Sequence, residues 1–199
     1  MQADSGVHWN SEHNRRSRSG KRTEMERMDM TIQLRKADGT NFKALEKIYG
    51  YSFPQEEQIT YQVLIDVSND TDHLFYAIYD DEALVGLNYL IVKEDRLYVL
   101  YLAIADGHQS QGYGKAVIRE ILRRYPDYRI YLNIEEVDAK YANYTQRVKR
   151  KDFYLSLGFE SQPYLFTNEK GVVLETLAVN GTIAYEEMEE LFAYFVRLG

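Results

Sequence analysis

Seven residues, Gln109-Ser-Gln-Gly112-Tyr-Gly114-Lys115, stand between the apolar run Val99–Ile104 and a segment whose Val117, Ile118, Ile121 and Leu122 recur at helical spacing. Two glycines leave the backbone N–H groups of a helix start unobstructed, and N–H donors converging there suit a phosphate. Two familiar phosphate loops do not fit. A dinucleotide fingerprint would need a third glycine where Val117 stands, and a P-loop would need Ser or Thr after the lysine, where Ala116 follows Lys115.

A second set of polar residues lies downstream. Asn143, Arg147, Arg150 and Tyr154 fall at i, i+4, i+7 and i+11, a stripe beside the apolar Tyr141, Tyr144, Val148 and Leu155, which predicts a helix over about 138–157. That stripe reads either as a solvated basic face with a boundary tyrosine or as a working face ending in a phenol. Just before it, the strand-like Tyr131-Leu-Asn133-Ile-Glu135 places Asn133 and Glu135 on one face by two-residue alternation.

The elements that must hold these residues follow from pattern. A short strand over Thr31–Lys36 leads to a helix over Asn41–Tyr49, a proline turn at Pro54 and a second helix to about Val67. His73–Tyr79, Ala83–Val92 and Leu97–Ile104 read as an antiparallel meander. The helix from Gly112 ends before Pro126, and Arg129–Glu135 is expected to pair parallel with Leu97–Ile104 across that crossover. Phe159–Phe166 and Val172–Asn180 form a last strand pair. Thr182–Leu198 is a helix whose apolar stripe docks either on its own sheet or on a second subunit, as in a homodimer.

Gln109-x-x-Gly112-x-Gly114, after an apolar strand and before an amphipathic helix, resembles the acyl-CoA loop of the GCN5-related N-acetyltransferases (GNAT). Phe153-Tyr-Leu-Ser-Leu-Gly-Phe159 is similar to the Tyr-x-x-x-Gly-Phe that closes the penultimate helix of that family. The resemblance runs from about Thr31 to Asn180. It implies an α+β fold with a central, mostly antiparallel sheet, a splayed parallel strand pair and flanking helices, and it implies acetyl-CoA as co-substrate. Backbone at Leu102, Ala103 and Ile104 would then pair with the pantetheine arm, and Gln109, Ser110, Gln111, Gly112, Tyr113, Gly114 and Lys115 would hold the pyrophosphate.

The same resemblance makes Tyr154 the general acid, since a phenol of ordinary pKa about 10 stays protonated at neutral pH and can donate to a departing thiolate. Glu135 is the candidate base, with a water-mediated route or no side-chain base as the alternatives. Arg147 stands where relatives often carry an asparagine, and Asn143, one turn earlier, is the candidate to serve that need toward the cofactor. Phe53 and Glu56, in the connection that walls the acceptor site of the family, and Asn133 are candidate substrate contacts. For Glu56 and Glu57 an alternative is first-turn acids complementing a helix dipole.

Composition narrows the function classes. The 199 residues suffice for one domain, 45% of them hydrophobic and 28% charged. We divide them into a basic leader over 1–30, expected to be disordered, and an N-acetyltransferase domain over 31–199. Cysteine is absent, which removes disulfides, thiolate metal sites and a sulfur acyl-enzyme, and the four histidines show no metal-ligand spacing, so no metal is predicted. A formal charge of −7 disfavours nucleic acid and suits a cationic acceptor. No apolar run reaches the roughly 20 residues of a membrane span and no signal core opens the chain, which predicts a cytoplasmic protein with no membrane partner. The leading reading is an acetyl-CoA-dependent N-acetyltransferase for a small-molecule amine. A protein N-terminus or lysine as acceptor, and a non-catalytic acyl-CoA sensor, are the alternatives.

Overall fold

In the computed structural model, which describes residues 32–198, seven strands share one sheet in the order β1-β2-β3-β4-β5-β7-β6. The leader expected over 1–30 lies outside the described residues. The strands are β1 (Ile32–Lys36), β2 (His73–Asp80), β3 (Ala83–Lys93), β4 (Arg96–Ile104), β5 (Arg129–Glu135), β6 (Glu160–Thr167) and β7 (Val173–Val179). The helices are α1 (Phe42–Ser52), α2 (Tyr61–Val67), α3 (Tyr113–Arg124), α4 (Tyr144–Leu155) and α5 (Tyr185–Leu198). All pairings are antiparallel except β4 with β5. This is the predicted α+β architecture. Among the described residues no helix is long and apolar enough to cross a membrane.

The centre of the sheet is covered on both sides, which is why β3 is buried without interruption from Val85 to Ile91 and reads as an apolar run rather than an alternation. Leu45, Ile48 and Tyr49 of α1, Leu64 of α2 and Met188 and Leu191 of α5 join one core cluster with Phe75, Tyr89, Tyr98 and Tyr101. Val117, Ile118 and Ile121 of α3 join the other with Val85, Leu90 and Leu97. Helix α5 thus docks on its own sheet: Met188 is fully buried, and Phe192 packs on Phe166 with ring centres 4.5 Å apart.

β4 is the strand that shapes the site. It stays in register with β3 as far as the Gly86–Ile104 pair, with a bulge between the Tyr89–Tyr101 and Leu90–Val99 pairs. At Gly86 a side chain has no room, because a Cβ there would lie 2.3 Å from the Ala103 carbonyl oxygen. On its other edge β4 meets β5 in three pairs only, Arg96–Arg129, Leu97–Ile130 and Tyr98–Tyr131, and beyond Tyr98 the two strands part.

Two elements differ from the sequence reading. The helix expected from Asp138 begins at Tyr144, because the Asp138 carboxylate accepts a hydrogen bond from the Lys140 N–H (2.9 Å) and its carbonyl accepts one from Tyr141 (3.1 Å), which closes turns in place of a helix start. The helix expected between Pro54 and Val67 is a short 3-10 turn, Gln55–Glu57, followed by α2 from Tyr61. The last strand pair enters the sheet with β7 inside and β6 at the edge, since β7 pairs with β5 over six residues.

Candidate functional site

Beside the end of β4, past its last pair with β5, a cleft of about 1170 Å³ opens, lined by β4 and the α3 loop and by no residue of β5. One wall is β4 at Leu102–Ile104, whose β5-facing edge has no strand partner beyond Tyr98. The floor is the loop into α3, with Gln109, Ser110 and Gly112–Ala116 lining the cleft. The end of α1 (Tyr51, Ser52) and Phe153 of α4 close it. The loop bends sharply, since Ser110 and Gly112 both have positive φ (61° and 97°), and Gly112 is the N-cap of α3. The start of α3, Tyr113–Ala116, therefore lines the cleft, at the helix end where first-turn N–H groups suit an anion.

Side chains hold that loop in place. Gln109 donates to the Ile104 carbonyl (3.3 Å) and Gln111 to the Gly107 carbonyl (2.7 Å), so both glutamines tie down main chain, and Gln111 does not line the cleft. The buried Tyr113 donates to Asp80 of β2 at 2.6 Å, fastening the first residue of α3 to the sheet. Lys115 lines the cleft, and Arg119, one turn on, joins it; among the described residues neither has an ion-pair partner. Arg119, His108 and Phe153 were not foreseen. The i, i+4 spacing of Lys115 and Arg119 was a legible signal, whereas Phe153 enters through a contact with Gly114, at 3.5 Å from an added Cβ, that no local pattern announces.

Tyr154 is half-buried, its ring edge-on to Phe153 and Phe159 at 5.0 and 5.6 Å. Burial pushes its phenol up to about 12 while the charge of Arg150 pulls it back, so the hydroxyl keeps its proton throughout the neutral range. Tyr98, the last β4 residue paired to β5, feels the Tyr154 hydroxyl electrostatically and donates to the Asn133 carboxamide oxygen at 3.1 Å. Asn133 passes its own N–H to Thr176 at 3.0 Å. This network fills the fork of the two strands.

Glu135 stands at the open end of β5 with both oxygens engaged, Oε1 by Arg147 at 2.7 Å and Oε2 by Arg150 at 3.2 Å. Asn143 is the N-cap of α4, and its Oδ1 accepts from Arg147 Nε at 2.7 Å. Phe53 packs between Tyr49 (5.5 Å) and Tyr101 (4.7 Å), and Glu56 falls in the 3-10 turn. Tyr101 fixes that turn by donating to the Glu57 carbonyl at 2.8 Å. His73, at the start of β2, is buried in the core between Tyr89 (3.0 Å) and Tyr194 (2.5 Å).

Comparison with known proteins gives this geometry a lineage. Residues 71–161 match the family model described as an acetyltransferase (GNAT) domain. Over those residues the chain carries a GNAT acetyltransferase domain. The matched segment contains β2 to α4 with both strands of the fork, the glycine loop and Tyr154, and places the chain among acyltransferase enzymes. No curated protein sequence matches the chain. Among solved structures, a GNAT-family protein from Bacteroides thetaiotaomicron shares the fold at a TM-score of 0.67 and 19% identity over 82% of this chain and 94% of its own. The ribosomal-protein-S18-alanine N-acetyltransferase of Escherichia coli superposes at 0.57 (16% identity, 78% and 97% covered). An aminoglycoside 6'-N-acetyltransferase complexed with coenzyme A superposes at 0.60 (14% identity, 75% and 96% covered). At these identities the likeness is one of fold, shared by proteins named for different acceptors.

Proposed function

We propose that this GNAT domain is a cytoplasmic N-acetyltransferase that moves the acetyl group of acetyl-CoA to a primary amine of a small molecule. The observation that carries the reading is the cleft between the unpaired edge of β4 and the glycine loop, which offers backbone amides along an arm and a ring of N–H donors at its end. Those are the two needs of a pantetheine chain and a pyrophosphate, and Lys115 and Arg119 add positive charge beside them. The coenzyme A complex of the aminoglycoside acetyltransferase of like fold supports the cofactor, and its name supports a small-molecule acceptor. The charge of −7 favours a cationic one.

In this reading the neutral amine attacks the thioester carbonyl, a C–N bond forms and the C–S bond breaks. The departing sulfur takes a proton from the Tyr154 hydroxyl, and the tyrosinate is restored by the proton the new amide nitrogen must lose. A phenol near 12 is a weaker acid than a thiol near 8.5, so the transfer to sulfur belongs to the moment of C–S cleavage rather than to a prior equilibrium. Backbone donors of β4 orient the carbonyl. The test is a panel of amines, including polyamines and aminoglycosides, screened for thiol release from acetyl-CoA with thermal shift in parallel. Binding with turnover on a small amine is the expected result. Binding without turnover on any amine or N-terminal peptide would favour an acyl-CoA sensor, and no stabilisation at millimolar acetyl-CoA would overturn the reading.

A further inference from the structure

Helix α4 carries Tyr154 yet contains no fully buried residue. Its apolar contacts are partial, through Phe153 and Tyr154, and Leu155 is exposed. An element so lightly packed has little hydrophobic reason to keep one position to within an ångström. What fastens it is polar. Arg147 uses its whole guanidinium: Nε donates to Asn143 (2.7 Å), one terminal nitrogen to the Glu136 carbonyl (2.8 Å) and the other to Glu135 (2.7 Å), while the plane lies 3.7 Å above the Tyr141 ring. Its side chain is only 11% exposed. Tyr141 in turn donates to the Glu136 carboxylate at 3.0 Å, and Lys140 pairs with the same group. Two turns further along α4, on the same face, stands Tyr154.

We propose that Arg147 is a positioning residue for Tyr154, clamping α4 to the open end of β5, and that Glu135 is its counter-ion rather than the catalytic base. The second half follows from the pairing. Each oxygen of Glu135 is held in a charge-assisted pair, one with Arg147 and one with Arg150, and taking up a substrate proton would weaken the two pairs that fasten α4. The first half follows from chemistry that only this side chain supplies. A lysine cannot reach three acceptors in one plane and stack at the same time. The clamp spans the turn segment between β5 and α4, so it fixes the joint at which the helix leaves β5.

This inference rests on the acetyltransferase reading for its kinetic consequence but not for its structural one, and the experiment separates them. In Arg147→Gln, hydrogen exchange of the amides over 144–155 should quicken while β2–β4 keep their protection. The kcat should fall by about 10- to 100-fold with the KM for acetyl-CoA within about three-fold, because misplacement costs rate rather than cofactor binding. Arg147→Lys should recover only part of both. Glu135→Gln should lower kcat by less than about 10-fold and keep the acidic limb of the pH–rate profile. Unchanged exchange in α4 together with unchanged kcat in Arg147→Gln overturns the clamp. Loss of the acidic limb, with a fall of about 10²-fold or more in Glu135→Gln, overturns the counter-ion role and makes Glu135 the base. A wild-type chain that neither binds acetyl-CoA nor acetylates overturns the enzyme reading alone, and the exchange comparison still decides the clamp.

Discussion

At their start β4 and β5 are joined by three backbone pairs and by charge; at their far end they share neither. At the joined end Arg96 and Arg129 sit side by side across the parallel pair, and both reach Glu187 of α5, at 3.6 and 2.9 Å. Asp95 takes the other face of Arg129 at 2.7 Å, Glu190 pairs with Arg96 at 3.2 Å and with Lys93, and the Glu187 carboxylate also accepts from the Ala184 N–H at the head of α5. At the open end there is main chain, a glycine loop and the Asn133–Tyr98 wedge. The contrast teaches a division of labour. Three ladder pairs are too few to hold parallel strands against solvent, so side-chain charge from a distant helix does it, and the other end is released to bind with backbone.

The sharpest way to break this contrast is at the open end. Tyr154→Phe keeps the ring against Phe153 and Phe159 but removes the donor. The kcat should fall by roughly 10²–10⁴-fold with acetyl-CoA affinity within a few-fold, measured where chemistry limits the rate. A boundary tyrosine would instead show retained turnover and a small change in Tm. Next comes Gly112→Asp, which puts a Cβ and a carboxylate at a residue with φ of 97°, at the helix start where the phosphates approach. We expect acetyl-CoA affinity to drop by about 10-fold or more by calorimetry, with the apo fold retained. Unchanged affinity would reduce the loop to a turn.

At the joined end the expected effects are on stability. Glu187→Ala removes the carboxylate shared by both arginines, but Asp95 and Glu190 remain, so the loss should be about 1–3 kcal/mol, less than for a pair left without any partner. The Tm should fall by several degrees with the acetyl-CoA Kd little changed; a large rise in Kd would show that the two ends are coupled. The smallest effect concerns His73, where α5 meets β2. Burial lowers its pKa below the ordinary 6.5 in the folded chain, outweighing Asp70 and Asp72. The unfolded chain therefore takes up the proton more readily, so this contribution to stability is full above about 6.5 and drains away as pH falls below it. Between pH 7.5 and 5.5 the Tm should decline more steeply in the wild type than in His73→Gln, and equal slopes would remove His73 as the cause.

The open end was the more legible of the two in sequence, because its signals are local. Gly112 and Gly114 before a run of helical period announce a bent loop, and Pro126 announces where α3 stops. The parallel pair followed from the crossover that α3 provides. The joined end gave no such signal: Arg96, Arg129 and Glu187 lie 33 and 58 residues apart in sequence and meet only once the sheet is built. The Asp138–Asn143 stretch misled for a related reason. Tyr141 and Tyr144 keep helical spacing, but the Asp138 carboxylate captures a backbone N–H and Tyr141 serves as the platform for Arg147, so polar local contacts outweigh the period. The roles of Gln109 and Gln111 as loop ties were hidden too, since a side chain that turns back on its own backbone looks in sequence like one offered to a ligand.

Gly86 carries a consequence of another kind. In the sequence it is a blank letter, far from the loop, and it does not line the cleft. In space it is full, because the Ala103 carbonyl occupies the place of its missing side chain. In a library that samples every position, such a residue behaves as a ratchet tooth. Alanine there cannot be absorbed by a rotamer, since what it meets is main chain, and relief requires β3 and β4 to move apart at Ala103, a residue that lines the cleft. The inner edge of the binding cleft is thus gauged from behind, by an absence on the neighbouring strand.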